Sequence, residues 1–127
     1  MYQDIKIVTK GYHKLIVWQK AHQLVLEIYK VTSIFPKEEK YDLTDQLRRS
    51  AKSVPTNIVE GQASEFLKVF LNFLDKANGS LVETEYHLEL ARDLHYLSQA
   101  EYTRLDALRE EIGILLHALR NSIRKKL

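Results

Sequence analysis

The sequence predicts an all-α protein folded as an antiparallel up-down four-helix bundle with a kinked second helix. Three observations carry this. Apolar residues recur at helical spacing in four separate segments, no segment alternates convincingly with period two, and helix stop and start signals fall between the segments. The 127 residues suffice for one domain around one core, spanning 1–127, and are too few for two.

The first helix is expected from about Lys14 to Ser33. Val17, Ala21, Leu24, Ile28, Val31 and Phe35 alternate steps of four and three, and Trp18, Val25 and Tyr29 widen that stripe on one side. Ahead of it, residues 1–12 read as a flexible arm, since Thr9, Lys10 and Gly11 carry no periodic signal. Phe35-Pro36 closes the helix, because proline pushes the residue before it out of the helical region. Residues 37–41 read as a polar connection.

The second helix should start near Asp42, a good N-cap, and continue through Leu43, Leu47, Ala51, Val54 and Ile58. Pro55 sits inside it, removes the bond to the Ala51 carbonyl and costs about 3 kcal/mol in an isolated helix. Either the helix kinks between Ala51 and Pro55 or two short helices abut, and the unbroken apolar spacing favours the kink. Gly61 supplies a stop.

Ser64 can cap the third helix, expected to reach about Leu97, roughly 34 residues and ~50 Å long. Its start is unusually greasy. Placed at about 100° per residue, the seven apolar side chains between Phe66 and Leu74 cover an arc of roughly 200°, against the ~100° stripe that one core requires. The surplus packs either against a neighbouring subunit, through Leu67, Phe70, Leu71, Phe73 and Leu74, or between two helices of the same bundle. Gly79-Ser80 lies mid-helix, where small residues allow close helix approach or a bend. The fourth helix opens on Ser98-Gln99-Ala100-Glu101, a capping box, and continues with Leu105, Leu108, Ile112, Leu115 and Leu119.

Composition narrows the chemistry. Without cysteine there is no disulfide scaffold, thiolate metal site or Cys nucleophile, which fits a reducing interior. The first residues lack a secretory pattern, and no apolar run approaches the ~20 residues of a membrane span, so a cytoplasmic location is expected. The formal charge is only +2, but it is uneven. Residues 1–36 carry five Lys/Arg against two Asp/Glu, residues 37–63 five against five, residues 64–97 three against six, and residues 98–127 six against four. Residues 120–127 hold Arg120, Arg124, Lys125 and Lys126 with no acid, a basic tail that is either a solvated helix end favoured by the macrodipole or a phosphate-binding element.

Enzymatic signatures are lacking. The residues three before His13, His22, His87, His95 and His117 are Lys10, Gln19, Thr84, Arg92 and Ile114, so no Glu-x-x-His ligand motif of a di-iron bundle exists. Glu83 and His87, four apart, are a weak ligand pair or an ordinary solvated or capping histidine. No glycine-rich phosphate loop or Gly-x-Ser-x-Gly elbow is present. No catalytic site, metal or cofactor is expected. On the second helix, Arg49, Ser53, Asn57 and Glu60 share one flank, extended by Arg48 and Lys52. This flank either contacts a partner or nucleic acid, or serves the fold. In the second case Asn57 and Glu60 satisfy backbone freed by Pro55 or pair with Ser80 and Glu83, with Arg48 or Arg49 as a counter-charge.

Several segments resemble a known family in order and spacing. They are Leu15-Ile16-Val17-Trp18-Gln19-Lys20-Ala21, Ile34-Phe35-Pro36-Lys37-Glu38-Glu39, Leu43-Thr44-Asp45-Gln46-Leu47-Arg48-Arg49-Ser50-Ala51, Ser53-Val54-Pro55-Thr56-Asn57-Ile58-Val59-Glu60-Gly61, and the run from Phe70 through Gly79, Ser80 and Glu83. Over roughly residues 12–97 the chain is similar to the four-helix-bundle proteins encoded within intervening sequences of bacterial 23S ribosomal RNA genes. The element Ser53, Pro55, Asn57, Glu60, Gly61 is the most specific part, with Gly79, Ser80 and Glu83 its counterparts on the third helix. That family is similar in turn to the accessory variability determinant of diversity-generating retroelements, a basic homopentamer that binds nucleic acid and a reverse transcriptase. The resemblance implies a non-catalytic homo-oligomer, a ring of five, that binds RNA or DNA through phosphate contacts or serves as an interaction scaffold for a reverse transcriptase. The family's usual basic residue after Glu60-Gly61 is replaced here by Gln62-Ala63-Ser64-Glu65, and the third helix is net acidic. Both shift the expected nucleic-acid surface to Arg48, Arg49, Lys52, Arg120, Arg124, Lys125 and Lys126.

Overall fold

The computed structural model describes residues 11–127; most of the predicted arm, residues 1–10, lies outside the described residues. Four α-helices follow one another: α1 Ile16–Thr32, α2 Leu43–Gln62, α3 Leu67–Asp93 and α4 Gln99–Arg124. Short 3-10 turns, Gly11–Lys14 and Lys37–Glu39, precede α1 and join it to α2. No strand occurs among the described residues. Each helix packs on the next and α4 closes on α1, while the diagonal pairs make no close backbone approach among the described residues. This is the square of an up-down bundle.

The apolar stripes become the core. Val17, Ala21, Leu24, Ile28, Val31 and Phe35 are buried from the first segment, and Leu43, Leu47, Ala51, Val54 and Ile58 from the second. From α3, Leu74, Ala77, Leu81, Leu88 and Ala91 meet them. In α4 the buried line is Leu105, Ile112, Leu116 and Ile123, with Leu108, Leu115 and Leu119 only partly covered. The α4 stripe is therefore rotated from the expected one toward Leu116.

Several boundaries differ from expectation for local reasons. Residues 11 and 12 belong to a packed turn rather than to an arm: the Tyr12 ring meets Trp18 edge-on at 5.0 Å, and Gln19 Nε2 donates to the His13 carbonyl at 2.7 Å. Asp42 makes no side-chain cap. Glu39 Oε1 accepts the Leu43 N–H at 3.4 Å, and Asp42 Oδ1 accepts from Gln46 Nε2. The second helix runs as one element through Pro55, which is buried, so two abutting helices are excluded. Gly61 does not stop α2 but lies inside it, against the start of α3. Ser64 organises the α2–α3 turn, its Oγ accepting from Phe66 N–H at 3.1 Å, and does not cap α3.

The third helix has 27 residues rather than roughly 34 and is ~40 Å long. It ends where His95 takes a left-handed conformation, φ 64°. Tyr96 N–H then donates to the Ala91 carbonyl and His95 N–H to the Arg92 carbonyl, both at 2.9 Å. That pair of bonds is a Schellman ending with histidine where glycine is usual. The capping box at Ser98 forms as expected: Glu101 N–H donates to Ser98 Oγ and Ser98 N–H to Glu101 Oε1, each at 3.1 Å.

Candidate nucleic-acid interface

The α2–α3 seam is the most intimate contact in the bundle. Small residues allow this. A Cβ built on Gly61 would sit 2.8 Å from both Phe70 Cδ1 and Phe73 Cβ, so glycine is required for the two helices to meet there. Further along the seam runs a ladder of hydroxyls. Ser80 Oγ donates to Ser53 Oγ at 2.8 Å, and Thr84 Oγ1 approaches Ser50 Oγ at 3.0 Å and the Ser80 carbonyl at 2.8 Å. His87 Nδ1 is 3.3 Å from Ser50 Oγ. Asn57 Nδ2 donates to Ser53 Oγ and to the Ser53 carbonyl. No fully buried side-chain polar atom among the described residues lacks a partner, as a low-dielectric interior demands.

The conspicuous polar flank of α2 thus divides. Ser53 and Asn57 belong to the seam, Ser80 being the partner of Ser53 rather than of Asn57. Neither Asn57 nor Glu60 serves the Ala51 carbonyl; Asn57 bonds at Ser53 and Glu60 is exposed. Gly79 makes no close approach, with nothing within 4 Å of its would-be Cβ. Glu83 lines an open cleft of about 420 Å³ with Asp45, Gln46, Arg49 and His87. No group of three or more His, Cys, Asp or Glu among the described residues is arranged to hold a metal ion.

The predicted basic residues fall at opposite ends of the bundle. Arg48 lies where α1 ends: its Nε donates to Thr32 Oγ1 at 2.8 Å, and its guanidinium sits 4.5 Å over the Tyr29 ring. Lys52 reaches the same ring at 5.9 Å. Arg49 is exposed and pairs loosely with Asp45 at 3.9 Å. Arg120 and Arg124, in the last turns of α4, both reach Asp75 on α3, at 2.9 and 3.6 Å. That acid neutralises part of the basic terminus, while Lys125 and Lys126 stand exposed beyond it.

The greasy start of α3 also divides. Leu74 is wholly buried in this chain's own core, and Phe70 and Leu71 pack partly against it. Phe73 is half-buried, with Lys76 Nζ 4.9 Å over its ring. Phe66, Leu67 and Val69 remain exposed, Phe66 by 67%. Sequence reasoning missed Lys37, Lys40 and Thr44, which the fold gathers beside Arg48 around one pocket. The balance of five bases and five acids over residues 37–63 concealed them; the pair Lys37 and Lys40 directly after Pro36 was the available signal.

Comparison with known proteins places this geometry in context. The model of a family described as 23S rRNA-intervening sequence protein matches residues 13–118. A crystal structure of a protein of unknown function from the S23 ribosomal protein family, from Bacteroides thetaiotaomicron VPI-5482, aligns with a TM-score of 0.78 at 27% sequence identity, covering 84% of this chain and 96% of that one. No curated protein matches the chain.

Proposed function

The chain belongs to the 23S rRNA-intervening sequence protein family, and from that premise we propose that it is a non-catalytic, homo-oligomeric accessory protein that binds nucleic acid through phosphate contacts in the cytoplasm. The observation that carries this reading is Arg48. All seven arginines are among the described residues, and Arg48 alone has no carboxylate partner among those residues; the other six are held in ion pairs. A guanidinium kept from carboxylates, with Lys52 beside it and Arg49 one residue on, is suited to phosphate. One subunit supplies few such contacts. A ring of five, as the resemblance to the retroelement accessory protein suggests, would repeat them and make a surface of useful field.

Contacts to phosphate release counterions, so affinity should fall steeply with salt. Retention of mixed-sequence RNA and DNA, measured by anisotropy at low and high salt, tests this. We expect a steep negative slope, made shallower by removal of residues 120–127 together with Arg48→Ala and Arg49→Ala. Because Arg48 also ties α2 to α1, the exposed pair Arg49→Ala/Lys52→Ala is a second variant that spares this tie. Retention indifferent to salt and to both variants overturns the reading.

A second reading, a scaffold for a protein such as a reverse transcriptase, is favoured by the exposed Phe66, Leu67 and Val69. There the basic substitutions would leave the partner bound and apolar ones would release it.

A further inference from the structure

The connection between α1 and α2 folds over a pocket of about 200 Å³ lined by Thr32, Ser33, Lys37, Lys40, Thr44 and Arg48 among others. Three cations line it, Lys37 and Lys40 from the connecting turn and Arg48 from α2, and none has a carboxylate within ion-pair distance among the described residues. The nearby acids do not intrude. Glu39 is turned away, accepting the Tyr96 O–H at 2.8 Å and the Leu43 N–H at 3.4 Å, and Glu38 is not part of the lining.

The hydroxyls differ among themselves. Thr32 donates to the Ile28 carbonyl and Ser33 to the Lys30 carbonyl, each at 2.7 Å, so both are occupied in finishing α1. Thr44 is not. Only 7% of it is exposed, and its hydroxyl has no hydrogen-bond partner among the described residues. No side-chain oxygen there is both sealed and unpaired, so this hydroxyl is reachable, and the pocket is the opening that Thr44 lines. Thr44 also belongs to the first turn of α2, where the helix dipole favours negative charge.

Size and charge together narrow the ligand. The volume is below the roughly 300–1,000 Å³ of sites that enclose a whole small molecule, yet several times the ~30 Å³ of a water. One compact polyoxyanion fits within it. A phosphate monoester carries about −1.5 to −2 charges on three terminal oxygens, matching three cations and a hydroxyl donor. A phosphodiester within a strand bears one charge and is tethered on both sides, which hinders its approach to a nearly buried threonine.

We propose that this pocket seats a terminal phosphate monoester of a nucleic-acid strand, with the rest of the strand outside. The identity of the strand rests on the nucleic-acid reading above; the pocket's preference for a phosphate does not.

One short single-stranded RNA, prepared with a 5′-phosphate, with a 3′-phosphate and with neither, tests the proposal by anisotropy at fixed salt. Inorganic phosphate is titrated into the protein separately, followed by NMR. The variants are Thr44→Val, which keeps the shape and removes a hydroxyl that serves no protein group, and Lys37→Ala/Lys40→Ala on the exposed turn. One phosphorylated form should bind about tenfold tighter than the unphosphorylated form, the worth of a charge-assisted hydrogen bond. Both variants should abolish that preference, and Thr44→Val should leave the melting temperature unchanged. Equal binding of all three RNAs, or a preference that survives both variants, overturns the pocket while the nucleic-acid reading stands. If no RNA binds, both ideas fail, and inorganic phosphate held at Thr44 would then identify a site for the free ion instead.

Discussion

His87 closes the buried ladder between α2 and α3, 7% exposed, with Nδ1 against Ser50 Oγ. Burial lowers its pKa from the ordinary 6.5, and the neighbouring Glu83 carboxylate opposes that shift less strongly. The neutral ring is therefore the folded form. A histidine whose pKa is depressed by folding binds fewer protons in the native than in the unfolded chain over that window. Its contribution to stability is full above pH 6.5 and is lost as pH falls through the lowered native value. Thermal melts from pH 8 downward should thus show a decline setting in below the unfolded histidine pKa. His87→Gln, which can keep a bond to Ser50 without titrating, should flatten that part of the profile; an equally steep decline in the variant would assign it to other groups.

For the α2–α3 pair, two glycines give opposite expectations although both lie in helices. At Gly61 an added methyl meets the Phe73 Cβ, which cannot swing aside as a side-chain tip can. Gly61→Ala should destabilise by about 1–3 kcal/mol through overpacking, less the ~1 kcal/mol of helix propensity that alanine recovers. At Gly79 the space is open, so Gly79→Ala should stabilise by up to about 1 kcal/mol. Urea midpoints of the two variants check the signs. Similar shifts for both would mean that the seam tolerates a wider spacing than its contacts indicate. Pro55 fits this pairing too, being buried within an unbroken helix held by neighbours on both sides. Tertiary packing outweighs its local cost.

In the whole molecule, exposed grease and divided charge call for the same remedy. Phe66, Leu67 and Val69 stand out at one end of the bundle, near Arg120 and Arg124, while Arg48 and Lys52 lie toward the other. A second copy covering the apolar residues would repeat both basic regions around an axis. Sedimentation should then give a multiple of 14.9 kDa for the protein and 14.9 kDa for Leu67→Glu/Val69→Glu, since unpaired charges in an apolar contact oppose association. A wild-type single subunit at micromolar concentration would remove the oligomer from the proposed function. It would leave the Arg48 pocket untouched, because every residue lining that pocket comes from one chain.

Helix number, helix order and the inward faces of α1 and α2 were legible in periodicity alone, and the α4 start in its capping box, because these act within a turn or two of chain. The ends of α3 were not, since a left-handed histidine and a serine turn compete with the apolar pattern there. For the candidate site the division is sharper. The basic residues could be named from sequence, but whether each is free could not. Asp75 claims Arg120 from 45 positions away, and Lys37, Lys40, Thr44 and Arg48 share a pocket only after α1 and α2 have turned back on each other. Local spacing determines what a helix buries; charge pairing and cavities join residues remote in the chain, and only tertiary packing sets their distances.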